Sequence, residues 1–211
     1  MSEGRRTEYT GRRERWVVQM AETRNRMGRD RPLGIFCVEG DWSPKLTARA
    51  SVRELLQILE DVAGIDFIFH HVETVDGLFD ILRRWGQKQY SHYALGYFAF
   101  HGRPGSIVVG RRSVTLERLG SAMAGSCRDK ILYFGSCSVL RAPKRELDAF
   151  CSVTGSPCVV GFTRDVDWIA SAALDLILLQ AIAVRKDPDA VRHWLGEEFG
   201  DLAHHLGLRV Y

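Results

Sequence analysis

The amino-acid sequence predicts an α/β fold: a mostly parallel β-sheet with helices on both faces, forming a three-layer sandwich. Three observations lead to this prediction. Short apolar runs alternate with helix-like segments along the chain, which is typical of a parallel sheet. The runs are apolar at nearly every position and rich in aromatic or β-branched residues, as in strands buried on both faces. With 211 residues, 45% of them of hydrophobic type, the chain is long enough to bury one good core.

The N-terminal segment, residues 1–31, differs from the rest of the chain in charge. It holds nine Arg and five acidic residues, and residues 14–27 have a helix-like composition. A basic arm of this kind can contact nucleic acid or an acidic partner, but more often it is a frayed or accessory helix. Nucleic-acid binding is not predicted, because no basic stripe continues along the body of the chain. We predict an Arg-rich arm over residues 1–31 and a single domain over residues 32–211.

The first half of the body contains three predicted core strands. They are residues 33–38 (LGIFCV), 65–72 (IDFIFHHV) and 94–102 (ALGYFAFHG). Ser51, with Glu54 three residues later, has the spacing of a capping box that begins a helix ending at Gly64. Thr74 is the predicted N-cap of the next helix. Residues 106–110 and 113–114 predict a small β-hairpin outside the core sheet.

The second half continues the alternation of strands and helices. Thr115 is the predicted N-cap of a helix that leads to the fourth core strand, residues 130–137 (KILYFGSC). Residues 144–153 predict a helix and residues 158–162 a fifth strand. A long apolar helix follows at residues 166–184, and a last helix is expected to end near Gly200. Residues 206–211 are expected to form a final strand or a docked end.

Two of the predicted strands end in residues that can do chemistry together. His101 lies at the end of the third strand and Cys137 at the end of the fourth. Because the carboxyl ends of parallel strands meet at one edge of the sheet, the imidazole and the thiol are expected to face the same crevice. A thiol becomes a nucleophilic thiolate near neutral pH when a nearby His takes its proton. We therefore predict Cys137 as the nucleophile and His101 as the general base and acid.

This arrangement resembles the caspase-like (clan CD) cysteine peptidases, and in style the compact bacterial CHAT-type domains. In that family one core strand runs into His-Gly, and the next runs into a small residue followed by the catalytic Cys. The matching stretches are YFAFHG at residues 97–102 and YFGSC at residues 133–137. The resemblance covers about residues 32–184 and implies a caspase-like sandwich. The chain departs from the family's QACRG and DSCHSG motifs, since it reads GSCSVL at residues 135–140.

The resemblance also implies an oxyanion hole and a substrate pocket. The hole would be formed by the backbone amides of Gly102 and Cys137. The implied pocket lies at the strand ends and in the loop after the fifth strand, where the chain has Glu39, Asp41, Ser136, Asp165 and Asp167. Their carboxylates predict a weak preference for Arg or Lys before the scissile bond. Three arginines on the same rim would instead favour an acidic residue: Arg103, Arg141 and Arg164.

Several other properties follow from composition. The five cysteines lack the spacing of a metal site, so neither a metal nor a cofactor is predicted. No secretory signal is visible, and the apolar run at residues 169–184 is interrupted by Asp175 and Gln180 and is too short to span a bilayer. We therefore expect a cytoplasmic protein that makes no membrane contact. Because a free intracellular protease is hazardous, a regulatory protein partner is expected in addition to a protein or peptide substrate.

Two other functions stay open at this point. One is a catalytically silent module with the same fold, which would assemble with a partner and in which Cys137 would titrate as an ordinary thiol. The other is a doubly wound nucleotide-cleaving enzyme with Glu39 as its catalytic carboxylate. No GxGxxG or GxxxxGK[ST] sequence follows any predicted strand, so that enzyme would lack a recognisable phosphate cradle.

Overall fold

The structure is a computed structural model that describes residues 31–43, 45, 47 and 50–211. Residues 1–30 of the predicted basic arm, including the helix expected at residues 14–27, lie outside the described residues. The segment Leu33–Tyr211 forms one compact unit. A six-stranded sheet, a three-stranded sheet and the helices between them make up this unit. The predicted α/β class is therefore confirmed.

The large sheet consists of β1 (Ile35–Glu39), β2 (Phe67–His71), β3 (Leu95–Ala99), β7 (Ile131–Phe134), β8 (Cys158–Phe162) and β9 (Leu208–Val210). The small sheet consists of β4 (His101–Arg103), β5 (Ser106–Val109) and β6 (Arg112–Thr115). The helices are α1 (Arg53–Ala63), α2 (Val75–Trp85), α3 (Leu116–Ala122), α4 (Lys144–Thr154), α5 (Trp168–Arg185) and α6 (Pro188–Leu206). Short 3-10 helices lie at Lys88–Tyr90 and Val139–Arg141.

The strands of the large sheet follow the order β2-β1-β3-β7-β8-β9. The first five are parallel, and β9 pairs antiparallel with β8 at the edge. β3 and β7 are neighbours, with Tyr97 opposite Tyr133 and Phe98 opposite Phe134. The carboxyl ends of these two strands therefore lie side by side, and the chain continues from them to His101 and to Cys137.

Helices cover both faces of the large sheet. Successive side chains of a strand point to opposite faces, so Phe36 and Val38 belong to one core and Ile35 and Cys37 to the other. Helices α2, α3 and α4 pack in the first core, and α1, α5 and α6 in the second. The resulting three layers explain why the strands are apolar at nearly every position.

Several helix boundaries agree with the sequence patterns. The Thr74 hydroxyl accepts a hydrogen bond from the Gly77 N–H (3.2 Å) and begins α2. The Thr115 hydroxyl does the same for α3, accepting from the Arg118 N–H (3.3 Å). Gly64 ends α1 with a left-handed φ of 63°, a conformation that glycine adopts without steric penalty.

Two predicted boundaries are wrong. Val52, not Ser51, is the N-cap of α1, because the Val52 carbonyl accepts the first hydrogen bond of the helix, from the Leu56 N–H (3.3 Å). The Ser51 hydroxyl accepts from the Arg53 N–H (3.1 Å) and donates to Glu39 (2.7 Å). The third core strand ends at Ala99, and His101 begins β4, which turns away to pair with β5. The predicted end of the last helix near Gly200 agrees with the structure, because Phe199 has non-helical backbone angles (φ −135°, ψ 20°) and two helices meet there at a kink within α6.

Helix α5 is the most apolar helix among the described residues. By length and composition this helix, Trp168–Arg185, could cross a membrane, which the interrupted apolar run had not predicted. A single helix of this kind is weak evidence for a membrane span, since core helices have the same composition. Leu174, Leu178 and Ile182 of α5 are buried in the second core, so in this structure the helix is part of the sandwich.

Candidate functional site

A cavity of about 230 Å³ lies at the carboxyl edge of the large sheet. Both His101 and Cys137 line it. The walls are largely apolar and include Trp42, Leu55, Phe100, Val166 and Trp168. The structure therefore brings the predicted base and the predicted nucleophile into one cavity beyond β3 and β7.

Cys137 lies on a tight turn just after β7. Ser138, the next residue, has a φ of 59°, a left-handed conformation that non-glycine residues rarely adopt. Two hydrogen bonds hold this turn: the Ser138 N–H donates to the Arg164 carbonyl (3.0 Å), and its hydroxyl donates to Asp165 Oδ1 (2.7 Å). The half-buried Cys137 thiol lies 4.0 Å from the carbonyl oxygen of Val166. The turn thus directs the thiol into the cavity.

Ser136 joins the ends of the two strands that precede the site. Its buried hydroxyl donates to the Phe98 carbonyl and accepts from the Phe100 N–H, at 3.2 Å in both cases. Both hydrogen bonds run from the β7 side to the end of β3. The structure therefore places this predicted pocket residue inside the protein, where it fixes His101 and Cys137 relative to each other.

His101 is exposed at the mouth of the cavity. Its Nε2 lies 3.0 Å from the backbone carbonyl oxygen of Trp42. A carbonyl oxygen only accepts hydrogen bonds, so this contact assigns the proton to Nε2 and leaves the Nδ1 lone pair available as a base. The Trp42 indole ring also packs edge-on against the imidazole, with centroids 5.4 Å apart. Among the described residues, no hydrogen bond joins His101 directly to Cys137.

Gly102 brings β4 against the backbone of the nucleophile. A Cβ atom at this position would lie 2.1 Å from the Cys137 carbonyl oxygen and 2.8 Å from Cγ2 of Val139. Only glycine fits so close an approach. No acceptor among the described residues takes the backbone N–H of Cys137. An amide donor without a partner beside a nucleophile is one of the elements of an oxyanion hole.

Glu39 lies at the end of β1 and is 2% exposed. Its Oε1 accepts hydrogen bonds from the Trp42 indole (2.6 Å) and the Val52 N–H (2.7 Å), and its Oε2 accepts from the Ser51 hydroxyl (2.7 Å). Both carboxylate oxygens are therefore engaged in holding the loop before α1. Glu39 does not line the cavity.

The three other predicted pocket carboxylates are also engaged locally. Asp41 lies 3.0 Å from the His71 imidazole, Asp165 accepts from the turn after Cys137, and Asp167 caps α5 by accepting from two backbone N–H groups. None of the three lines the cavity. The rim arginines Arg103, Arg141 and Arg164 do not line it either.

One carboxylate that the sequence did not predict for the site lines the cavity instead. This residue is Asp175, in the first half of α5. Its side chain is buried and accepts hydrogen bonds from the Tyr97 hydroxyl (2.7 Å) and the Tyr133 hydroxyl. Burial raises the pKa of Asp175 from 3.8 to about 6, although the two tyrosine hydrogen bonds oppose this shift. The signal in the sequence was the one carboxylate in this mostly apolar helix.

The remaining cysteines have a different environment. Burial raises the pKa of the Cys37, Cys127 and Cys151 thiols, and raises that of Cys158 to about 11. None of these four thiols lines the cavity. The described part of the chain also contains no group of three His, Cys, Asp or Glu side chains placed to hold a metal ion.

Comparison with protein families gives a match that covers most of the chain. The model of a family of unknown function, DUF6642, matches residues 33–211. That range begins at the first residue of the compact unit and includes the whole cavity. No curated protein matches the chain.

Proposed function

The chain belongs to the DUF6642 family of unknown function, and we propose that it is a caspase-like cysteine endopeptidase with a His101–Cys137 dyad. The observation that carries this proposal is the cavity that both side chains line, beyond adjacent parallel strands. A thiol and an imidazole in one crevice are the minimum set for nucleophilic acyl transfer. The close approach of Gly102 to the Cys137 backbone gives further support.

The proposed reaction begins when Nδ1 of His101 takes the proton of the Cys137 thiol. The sulfur then forms a bond to the substrate carbonyl carbon, and the oxyanion is stabilised by the amides of Cys137 and Gly102. The C–N bond breaks, and the amine leaves with the proton from His101. Water hydrolyses the resulting thioester, which releases a carboxylic acid and restores the thiol.

The hydrogen bond between His101 and the Trp42 carbonyl suits this role. It keeps the proton on Nε2, orients the ring and stabilises the imidazolium that forms after proton transfer. In the structure His101 and Cys137 each contact a backbone carbonyl oxygen rather than each other. Catalytic hydrogen bonds often form only when substrate is bound, and the expected regulatory partner would act by bringing the two side chains together.

Glu39 gives no support to the nucleotide-cleaving alternative. Its two oxygens already accept three hydrogen bonds, and the side chain is buried away from the cavity. The remaining alternative to the peptidase is the catalytically silent module. It differs from the peptidase in one measurable property, the dependence of Cys137 reactivity on His101.

Labelling with acyloxymethyl ketone probes, followed by mass-spectrometric mapping, tests the dyad. We expect the probes to modify Cys137, and His101→Ala to slow this reaction by at least about 100-fold, the range of general-base catalysis. Cys151→Ser is the matched control, because that thiol is also half-buried but lies on α4; its rate should equal the wild-type rate. Labelling that is independent of His101, or none on Cys137, would favour the silent module.

A further inference from the structure

A carboxylate lies in the lining of the cavity beside Cys137. Among the described residues that line it, Asp175 is the acidic one, and the walls around it are largely apolar. Tyr97, which donates to Asp175, also lines the cavity, whereas Tyr133, the other donor, does not. The cavity therefore combines largely apolar walls with the predicted nucleophile and one carboxylate.

Asp175 has no cationic partner among the residues that the structure describes. Its two hydrogen-bond donors are neutral tyrosine hydroxyls, and no described Lys, Arg or His forms a salt bridge with it. Buried carboxylates in proteins are normally paired with a cation or neutralised by protonation. An unpaired carboxylate that lines an open cavity is thus a candidate for pairing with a ligand.

A purely structural role explains this residue less well. Two tyrosine hydroxyls can be joined by a neutral acceptor such as an Asn amide, which avoids the desolvation of a charge. An apolar side chain would leave the two buried hydroxyls without an acceptor, so a neutral amide is the side chain that a purely structural role favours. A charged carboxylate at this position is explained by a cationic group that binds in the cavity.

We propose that Asp175 selects the substrate by pairing with the cationic end of a Lys or Arg side chain that precedes the scissile bond. This inference rests on the proposed peptidase function. The aliphatic part of the Lys or Arg side chain would lie along Trp42, Phe100 and Trp168, and its ammonium or guanidinium group would reach Asp175. Long basic side chains often bury their methylene groups in this way. Tyr97 and Tyr133 act as positioning residues that hold the carboxylate.

Matched pairs of probes test the role of the charge. Acyloxymethyl ketones with Lys or its neutral analogue norleucine, and with Arg or its neutral analogue citrulline, differ mainly in charge. For the wild-type protein we expect the Lys and Arg probes to label Cys137 at least about tenfold faster than their analogues, the effect of one charged hydrogen bond. In Asp175→Asn this ratio should fall to about one, while the neutral probes still react.

Asp201→Asn is the control variant. It makes the same chemical change at an exposed position on α6, outside the cavity, and it should keep the wild-type ratio. A wild-type ratio of one, or an unchanged ratio in Asp175→Asn, would overturn the proposal. Labelling by the neutral probes shows that Asp175→Asn is folded, so loss of structure cannot imitate the expected result.

A binding measurement separates this inference from the peptidase proposal. On the Cys137→Ala background, Nα-acetyl-arginine amide should raise Tm more than Nα-acetyl-citrulline amide, and Asp175→Asn should abolish the difference. This difference without probe labelling of Cys137 would support the cation site and contradict the peptidase. Labelling of Cys137 that depends on His101, without any preference for charge, would support the peptidase and contradict the role of Asp175.

Discussion

Replacing Asp175 by Asn should make the protein more stable at neutral pH. Burial raises the pKa of Asp175 from 3.8 to about 6, so the folded protein holds the carboxyl proton more tightly than the unfolded chain does. A raised pKa in the folded state means that stability falls as pH rises through the window from about 4 to about 6. Asparagine has no charge to desolvate and is free of this loss.

The magnitude follows from the shift. At about 1.4 kcal/mol per pKa unit, a change from 3.8 to about 6 corresponds to about 3 kcal/mol at neutral pH. This is an upper limit, because the Asn amide replaces one of the two oxygens that accept from Tyr97 and Tyr133. Between pH 4.5 and pH 7.5 the advantage of Asp175→Asn over the wild type should grow by about 2 kcal/mol.

Urea unfolding at these two pH values, followed by circular dichroism, measures the effect. Asp201→Asn, at an exposed position, should show no comparable dependence on pH and serves as the control. A variant Asp175→Asn that is equally stable or less stable than the wild type at pH 7.5 would refute the reasoning. Asp175 would then be a stabilising acceptor for the two tyrosines, and its charge would need no ligand.

Three further substitutions probe the framework of the site. Gly102→Ala places a Cβ 2.1 Å from the Cys137 carbonyl oxygen, so probe labelling of Cys137 should slow at least about tenfold; an unchanged rate would show that β4 moves freely. Ser136→Ala leaves two backbone groups unpaired and should reduce the free energy of unfolding in urea by about 1–3 kcal/mol; no loss would contradict its bridging role. Glu39→Gln should reduce the free energy of unfolding by about 2–3 kcal/mol in the same assay, while the neutral probes still label Cys137. Loss of labelling in a variant that is as stable as the wild type would instead indicate that Glu39 is a catalytic carboxylate.

Most of the sheet and the meeting of His101 with Cys137 could be predicted from the sequence. Strands buried on both faces are apolar at successive positions, as in Cys158–Phe162, which matches the predicted strand at both ends. Parallel strands end at one edge, so residues following two neighbouring strands meet whatever the details of packing. The strand ends alone predicted that these two residues face one crevice, and both line one cavity in the structure.

The charge of the cavity could not be predicted in the same way. Carboxylates next to strand ends lie near backbone N–H groups and polar side chains that need acceptors. Asp167 accordingly caps α5, and Glu39 holds the loop before α1. Asp175 reaches the cavity only because α5 packs on β3 and β7, which puts it opposite Tyr97 and Tyr133. Contacts of that range are set by tertiary packing, which leaves no local pattern in the sequence.

Three locally unfavourable features occur together at this edge of the sheet. Ser138 has a left-handed φ of 59° next to Cys137, Gly102 leaves no room for a side chain, and Asp175 holds a buried charge that no cation among the described residues pairs with. Sequences otherwise agree with their folds at each local choice, so departures from stability tend to mark functional sites. The other non-glycine residue with a positive φ in the described part of the chain is Lys186, which ends α5, where this conformation is usual. The three features at the cavity have no such local explanation. A substrate that bears a positive charge would pair with Asp175 and offset the cost of burying its carboxylate.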